Sequence, residues 1–143
     1  MAITHSNFLT QVRNYTEVDS NVLSDTIIDQ FIRAIEVDVA GKVDYDDLRK
    51  YANSNFTAGN RAVSMPSDVM ILRSIEHIDS SGNRTFLEKR ETSFISEFNS
   101  TGTQGTPKYF ANWDDFNIIV APVPASADTV QINYIKDPPH FNS

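Results

Sequence analysis

The stretch from residue 105 to residue 139 constrains the fold most, because it contains three β-like runs separated by turn signals. In the last run Val130, Ile132 and Tyr134 alternate with polar residues, and this period of two predicts a strand with one buried face. Pro124 and the proline two residues before it cannot donate hydrogen bonds to a sheet, so they end the middle run. The pattern predicts an antiparallel meander whose buried face is covered by earlier segments. The predicted strands are 108–111, 116–121 and 129–136.

Two helices are predicted in the first part of the chain. A short one covers residues 6–15, and a longer one begins at the N-cap residue Ser24. Apolar residues at helical spacing predict a stripe that is buried, and Gly41 stands where helices commonly end. Polar residues occupy the other side, which is predicted to face water. The apolar stripe consists of Ile28, Phe31, Ile32, Ile35 and Val39 with Ile27 beside it, and the polar side of Asp29, Gln30, Arg33 and Glu36.

The next segments carry weaker signals. Residues 44–53 are predicted to form a third helix, because acidic residues stand at its start and Arg49 and Lys50 in its last turns. Residues 53–64 are rich in Asn, Ser, Thr and Gly and are predicted to be a loop.

A hairpin and one more short helix are predicted after this loop. Residues 69–78 read as a strand, or as a short helix that passes into a strand. A turn at 80–83 leads to a second strand at 84–89, with Phe86 as its inward residue. A short helix is predicted at 93–98.

The order of these elements defines the predicted fold class. Helices come first and strands follow with one inserted helix, which is an α+β pattern and not βαβ alternation. We expect one domain over residues 1–143. In it a helical, bundle-like part, about residues 5–55, packs on a small antiparallel sheet in a mainly β part, about residues 65–139.

Composition excludes several classes of protein. The 12 basic and 19 acidic residues give a net charge of −7, which disfavours a protein that tracks nucleic-acid phosphates or anionic membranes. The chain has no cysteine, so it forms neither a disulfide framework nor a thiolate metal site. The longest apolar runs have about four residues, far from a transmembrane length. No signal peptide is visible, and synthesis in a cytoplasm is expected.

The sequence contains no complete motif for a metal site, a calcium loop or a phosphate-binding loop. His5, His77 and His140 have no partners at metal-site spacing. The run of Asp44, Asp46 and Asp47 lacks the glycine and the glutamate of a calcium loop. Residues 102–106 lack the lysine of a phosphate-binding loop. We therefore expect no enzyme activity, no cofactor and no metal.

A polar tip around Trp113 leaves two interpretations open. Asp114 and Asp115 beside an indole could hold or cleave a sugar. Adjacent residues point in different directions, however, which favours a wet hairpin tip. The aromatic residues near it, among them Tyr109, suit a core or a protein interface, where aromatic anchors are common.

Several segments resemble a family of tailed-phage head-to-tail adaptor proteins. They are Met65-Pro66-Ser67-Asp68, Gly105-Thr106-Pro107-x-Tyr109-Phe110, Ile118-x-Val120-x-Pro122-x-Pro124 and Val130-x-Ile132-x-Tyr134, together with the capped helix containing Glu36. The resemblance covers residues 8–139. Met65 replaces the usual leucine, Ile35 replaces a small residue, and the chain ends soon after Pro139.

The resemblance implies a structural virion protein without catalytic residues. Such adaptors form a ring, commonly a dodecamer, under the portal protein in the neck of the virion. They join it to the tail tube, nozzle or other tail proteins and continue the channel through which DNA passes. An acidic channel wall would let DNA slide. The alternatives are another neck component, such as a head-completion or stopper protein, and a carbohydrate-binding accessory protein.

Heterologous ring contacts require two different faces on each copy. We expect the helical part to supply much of this contact, and its charges either pair between neighbours or remain solvated. The candidate subunit or partner contacts are Asp29, Arg33, Glu36, Arg49, Lys50, Tyr109, Trp113, Asp114 and Asp115.

Overall fold

The structure, a computed structural model, describes residues 3–43 and 46–141. These residues form two compact units. The helical unit contains residues 3–43 and 137–141, and the β unit contains residues 46–136. Helices and mostly antiparallel sheets confirm the predicted α+β class.

The helical unit contains the two predicted helices, α1 (His5–Thr16) and α2 (Asp25–Lys42). Both begin at a side-chain cap. The hydroxyl of Thr4 accepts a 3.3 Å hydrogen bond from the backbone N–H of Asn7, and Ser24 caps α2 in the same way. The predicted stop at Gly41 is wrong, because α2 continues to Lys42, whose ammonium group binds Asp38 at 2.7 Å.

The third predicted helix does not form. Asp44 and Tyr45 lie outside the described residues, Asp46–Leu48 make one 3-10 turn, and the chain then enters strand β1 (Arg49–Asn55). The segment has too few apolar residues to hold a helix against the rest of the protein. Its backbone instead pairs with a strand about eighty residues later in the chain, which local signals do not show.

The β unit contains two four-stranded sheets, a two-stranded pair and one helix. The first sheet has the order β1-β10-β3-β4 and is antiparallel throughout. The second has the order β2-β8-β7-β5, and β6 pairs with β9. The remaining elements are β2 (Ala62–Ser64), β3 (Val69–Ile78), β4 (Arg84–Phe86), β5 (Glu88–Lys89), α3 (Thr92–Phe98), β6 (Gln104–Gly105), β7 (Tyr109–Asn112), β8 (Asn117–Ala121), β9 (Val123–Pro124) and β10 (Thr129–Lys136).

The predicted meander is half right. β7 and β8 form the expected hairpin, and β10 has the predicted bounds. However, β10 lies in the other sheet, between β1 and β3. Pro122 ends the β8 ladder, the chain then forms the short pair of β9 with β6, and after Pro124 it crosses to the first sheet.

The inner faces of the two sheets share one core. Val130, Ile132 and Tyr134 of β10 pack there with Ile118 and Val120 of β8, and all five are buried. The alternate residues of β8 are also buried, because Ile95 of α3 covers the outer face of the second sheet. Both faces of β8 are therefore covered, which explains its continuous apolar sequence.

The orientation predicted for Phe86 in strand β4 is wrong. Phe86 was expected inside, but it is 67% exposed, while its neighbour Leu87 is buried. Phe86 pairs with Glu76, which lies on the polar outer face of the first sheet. The turn before this strand is confirmed, with Gly82 at a φ of 86°.

Candidate interaction surfaces

Three carboxylates lie beside the three histidines. Throughout residues 3–43 and 46–141, no group of three or more metal-ligating side chains is close enough to hold an ion. No helix among the described residues is long and apolar enough to span a membrane. The histidine–carboxylate pairs are His5–Asp29 at 2.6 Å, His77–Asp128 at 2.8 Å and His140–Glu36 at 3.4 Å.

The polar side of α2 holds the C-terminal segment of the chain. Arg33 donates a 2.8 Å hydrogen bond to the carbonyl of Pro138 and also binds Asp137. Glu36 Oε1 accepts a 2.8 Å hydrogen bond from the N–H of Phe141. This side was predicted to face water. Instead, the charges of Asp29, Arg33 and Glu36 are engaged inside the helical unit.

The apolar side of α2 is largely exposed. Phe31 and Ile35 were predicted to be buried, yet each is 63% exposed. Ile27 and Val39 continue the row at intervals of four residues, so the four side chains lie along one face. We call this row, Ile27, Phe31, Ile35 and Val39, the α2 stripe.

Other apolar residues of α2 point into the helical unit. Ile28 and Ala40 are buried, and Ile32 lines a groove of about 520 Å³ together with Phe8 and Phe141. The sequence contained a signal for this division. Apolar residues surround more of α2 than one buried stripe requires, and such a helix has apolar surface left for a second contact.

Arg49 and Lys50 lie on the edge strand β1 and not on a helix. Arg49 is 3.2 Å from Asp46, and Lys50 binds Asp68 at 2.8 Å. The hydrogen bond that Lys50 donates to Asp68 raises the pKa of Lys50, with a smaller contribution from Tyr134.

The β7–β8 hairpin tip exposes two aromatic rings. Trp113 is 58% exposed and Phe116 is 64% exposed. Asp114 Oδ1 accepts 2.8 Å hydrogen bonds from the backbone N–H groups of Phe116 and Asn117. These bonds, the one from Phe116 first, lower the pKa of Asp114. Because Asp114 holds the turn together, it does not form a free acid pair with the exposed Asp115.

Tyr109 belongs to an aromatic cluster on α3 and β7. Its ring contacts Phe94 and Phe98 edge to face, with centroids 5.2 and 5.1 Å apart. The guanidinium of Arg90 lies 5.3 Å from the centre of the Phe94 ring. Phe98 is half exposed, so the cluster reaches the surface.

These surfaces define an interaction protein, because exposed apolar and aromatic rows are typical of contact sites. The chain matches the SU10 adaptor protein family over residues 3–143 and belongs to that family. It is a phage structural adaptor protein, a component of the virion that contacts other phage structural proteins. A comparison with curated proteins found no match.

Proposed function

We propose that this protein forms a ring between the portal and the tail, joins head to tail, and continues the channel for DNA. Membership of the SU10 adaptor protein family supports the adaptor role. The observation that carries the ring is the α2 stripe, because an exposed apolar helix face needs a partner.

A second copy of the chain is the partner that a ring requires. Burying a large apolar side chain such as Phe31 or Ile35 contributes about 1.5–3 kcal/mol. A stripe of this length on an 18-residue helix therefore offers a useful share of an association energy. In a heterologous ring the stripe of one copy packs on a different surface of the next copy.

The predicted charge contacts take a different role in this proposal. Arg33 and Glu36 position the C-terminal segment, and Asp29 holds α1 through His5. They shape the helical unit that neighbours contact, and the apolar row supplies the binding energy.

The aromatic tip is the proposed contact with the portal or a tail protein. Trp113 and Phe116 project from a turn that Asp114 stabilises. Rigidly presented aromatic residues lose little conformational entropy on binding and are common anchors of interfaces. The protein acts in this proposal by contact alone, in the neck, without enzyme activity. Its net charge of −7 would reduce DNA adhesion to the channel.

Native mass spectrometry with and without the portal protein of the same phage tests the proposal. A ring that appears on the portal, with a copy number that matches the portal symmetry, is the expected result. A chain that stays monomeric and does not bind the portal overturns the proposal. Binding only to a preformed neck complex would instead favour a stopper or head-completion role.

A further inference from the structure

The two edge strands of the first sheet of the β unit run in directions that allow one copy to pair with the next. β1 forms one edge and β4 the other. Every neighbouring pair in this sheet is antiparallel, so β1 and β4 run in opposite directions. If a second copy lies beside the first in the same orientation, its β4 runs antiparallel to β1. Each copy thus carries both halves of a strand pair on opposite sides.

The hydrogen-bonding groups of β1 that face outward can be identified from its neighbour. The N–H of Phe56 donates to the carbonyl of Asp128 at 2.9 Å, so Phe56 faces β10. The direction of the backbone N–H and C=O groups alternates along a strand. Those of Tyr51, Asn53 and Asn55 therefore point away from β10.

The same reasoning applies to β4. The N–H of Leu87 donates to the carbonyl of Ile75 at 2.9 Å, so the backbone N–H and C=O groups of Arg84 and Phe86 point outward, away from β3. Among the residues that the structure describes, no backbone hydrogen bond joins the outer side of β1 or β4 to another segment. Such open edges are templates for strand pairing.

Each edge also carries one exposed aromatic ring on the same face of the sheet. Phe86 aligns through Glu76 and Gln131 with Asn53, and Tyr51 lies two residues before Asn53. Tyr51 and Phe86 are both 67% exposed.

The face between the two rings is polar and internally bonded. Arg84 binds Gln131 at 2.8 Å, and Gln131 binds Asn53 at 2.8 Å. The rings are the large apolar groups at the two margins of this face, each next to an open edge.

We propose that β1 of one copy pairs with β4 of the next, and that Tyr51 packs against Phe86 of the neighbouring copy. Both open edges are then hydrogen-bonded. Aromatic pairs across antiparallel strands stabilise a sheet. This contact is heterologous, so it can be repeated around a ring. The inference rests on the proposed ring and identifies a contact within it.

Pairing of β1 with a second β1 explains less of the structure. That arrangement is two-fold, closes at two copies, and leaves both β4 edges open. Centred on Ala52, it would also set Tyr51 opposite Asn53 and leave Phe86 without a partner ring. Pairing of β1 with β4 instead covers both open edges and gives each of the two rings a partner.

Engineered cysteines test the contact, since the natural chain has none. The variant Tyr51→Cys/Phe86→Cys is assembled on the portal and oxidised. Within one copy the two positions are separated by three strand spacings, about 14 Å. A disulfide requires Cα atoms within about 7 Å, so the bond can form only between copies. We expect a ladder of covalent oligomers on a non-reducing gel. In the matched control, Tyr51→Cys/Thr85→Cys, the second cysteine lies on the opposite face of β4, and the ladder should be largely lost.

The outcomes separate this contact from the proposed function. A ring in native mass spectrometry without a ladder overturns the contact and leaves the ring standing. Absence of any ring overturns the proposed function and the contact with it.

A second measurement uses the unmodified protein, in case the cysteine variant fails to fold. Quenched hydrogen exchange is read by NMR in the free subunit and in the ring. We expect exchange at the outward N–H of Asn53 to slow in the ring by on the order of tenfold or more. The N–H of Ser54, which faces β10, should be protected in both states. Equal exchange at Asn53 in both states contradicts the pairing.

Discussion

The buried hydroxyl of Tyr134 donates a 2.8 Å hydrogen bond to Asp68 Oδ1, and Asp68 Oδ2 accepts a 2.8 Å bond from Lys50. Tyr134 lies on β10, Lys50 on β1, and Asp68 just before β3. The chain of contacts therefore ties together three neighbouring strands of the first sheet. Desolvation and the Asp68 hydrogen bond raise the pKa of Tyr134, so its hydroxyl remains a donor.

Replacement of Tyr134 by Phe should lower the free energy of unfolding by about 1 kcal/mol, because Asp68 loses one donor. The ring itself still fills the core, so the fold should be retained. Urea unfolding followed by circular dichroism measures the change. Tyr51→Phe removes a hydroxyl from an exposed ring and should change stability by less than about 0.5 kcal/mol. Equal effects of the two substitutions would contradict the role of this hydrogen bond.

Asp68 should make stability depend on pH. The hydrogen bond from Lys50, followed by the one from Tyr134, lowers its pKa below the ordinary value of 3.8. Its charged form thus favours folding above that value, and this contribution is lost as pH falls through the lower folded-state pKa. The stability gap between the natural protein and Asp68→Asn should be larger near about pH 7 than near about pH 3. Unfolding free energies of both proteins at the two pH values measure it, and a constant gap would refute this linkage.

Local sequence signals identified the elements whose determinants are local. The caps at Thr4 and Ser24 and the alternation along β10 lie within a few residues of the structure they specify. β1 could not be recognised in this way. Its strand character comes from pairing with residues far along the chain, while its charges match a helix pattern.

The candidate contact residues also show the limit of local sequence signals. Hydrophobic periodicity predicted that α2 has an apolar face, but periodicity does not distinguish a face buried within the chain from one that awaits a partner. Phe31 and Ile35 were assigned to the core for this reason. Arg33 and Glu36 were assigned to the surface because their partners, Asp137 and Phe141, are about a hundred residues away.

Phe31→Asp should prevent ring formation on the portal without unfolding the subunit. Phe31 is 63% exposed, so its replacement removes little burial within the chain, but it places a charge in the proposed subunit contact. Native mass spectrometry reports assembly, and circular dichroism reports folding. Tyr15→Asp is the matched control, because Tyr15 is 92% exposed on α1, outside the α2 stripe. A Phe31→Asp protein that assembles as well as the control would remove the stripe from the ring contact.

Glu36→Ala should loosen the C-terminal segment at Phe141, while Arg33 still holds Asp137 and Pro138. The N–H of Phe141 would lose its acceptor, Glu36 Oε1, and Phe141 would be held mainly by its contacts with the rings of Phe8 and His5. Backbone exchange at Phe141 should therefore become faster, by on the order of tenfold if this bond supplies about 1 kcal/mol or slightly more. Hydrogen exchange by NMR measures the rate. Asp38→Ala is the control, since Asp38 lies on the same helix and binds Lys42. If exchange at Phe141 is unchanged in Glu36→Ala, the apolar contacts of its ring are sufficient to hold the segment, and the carboxylate is not its anchor.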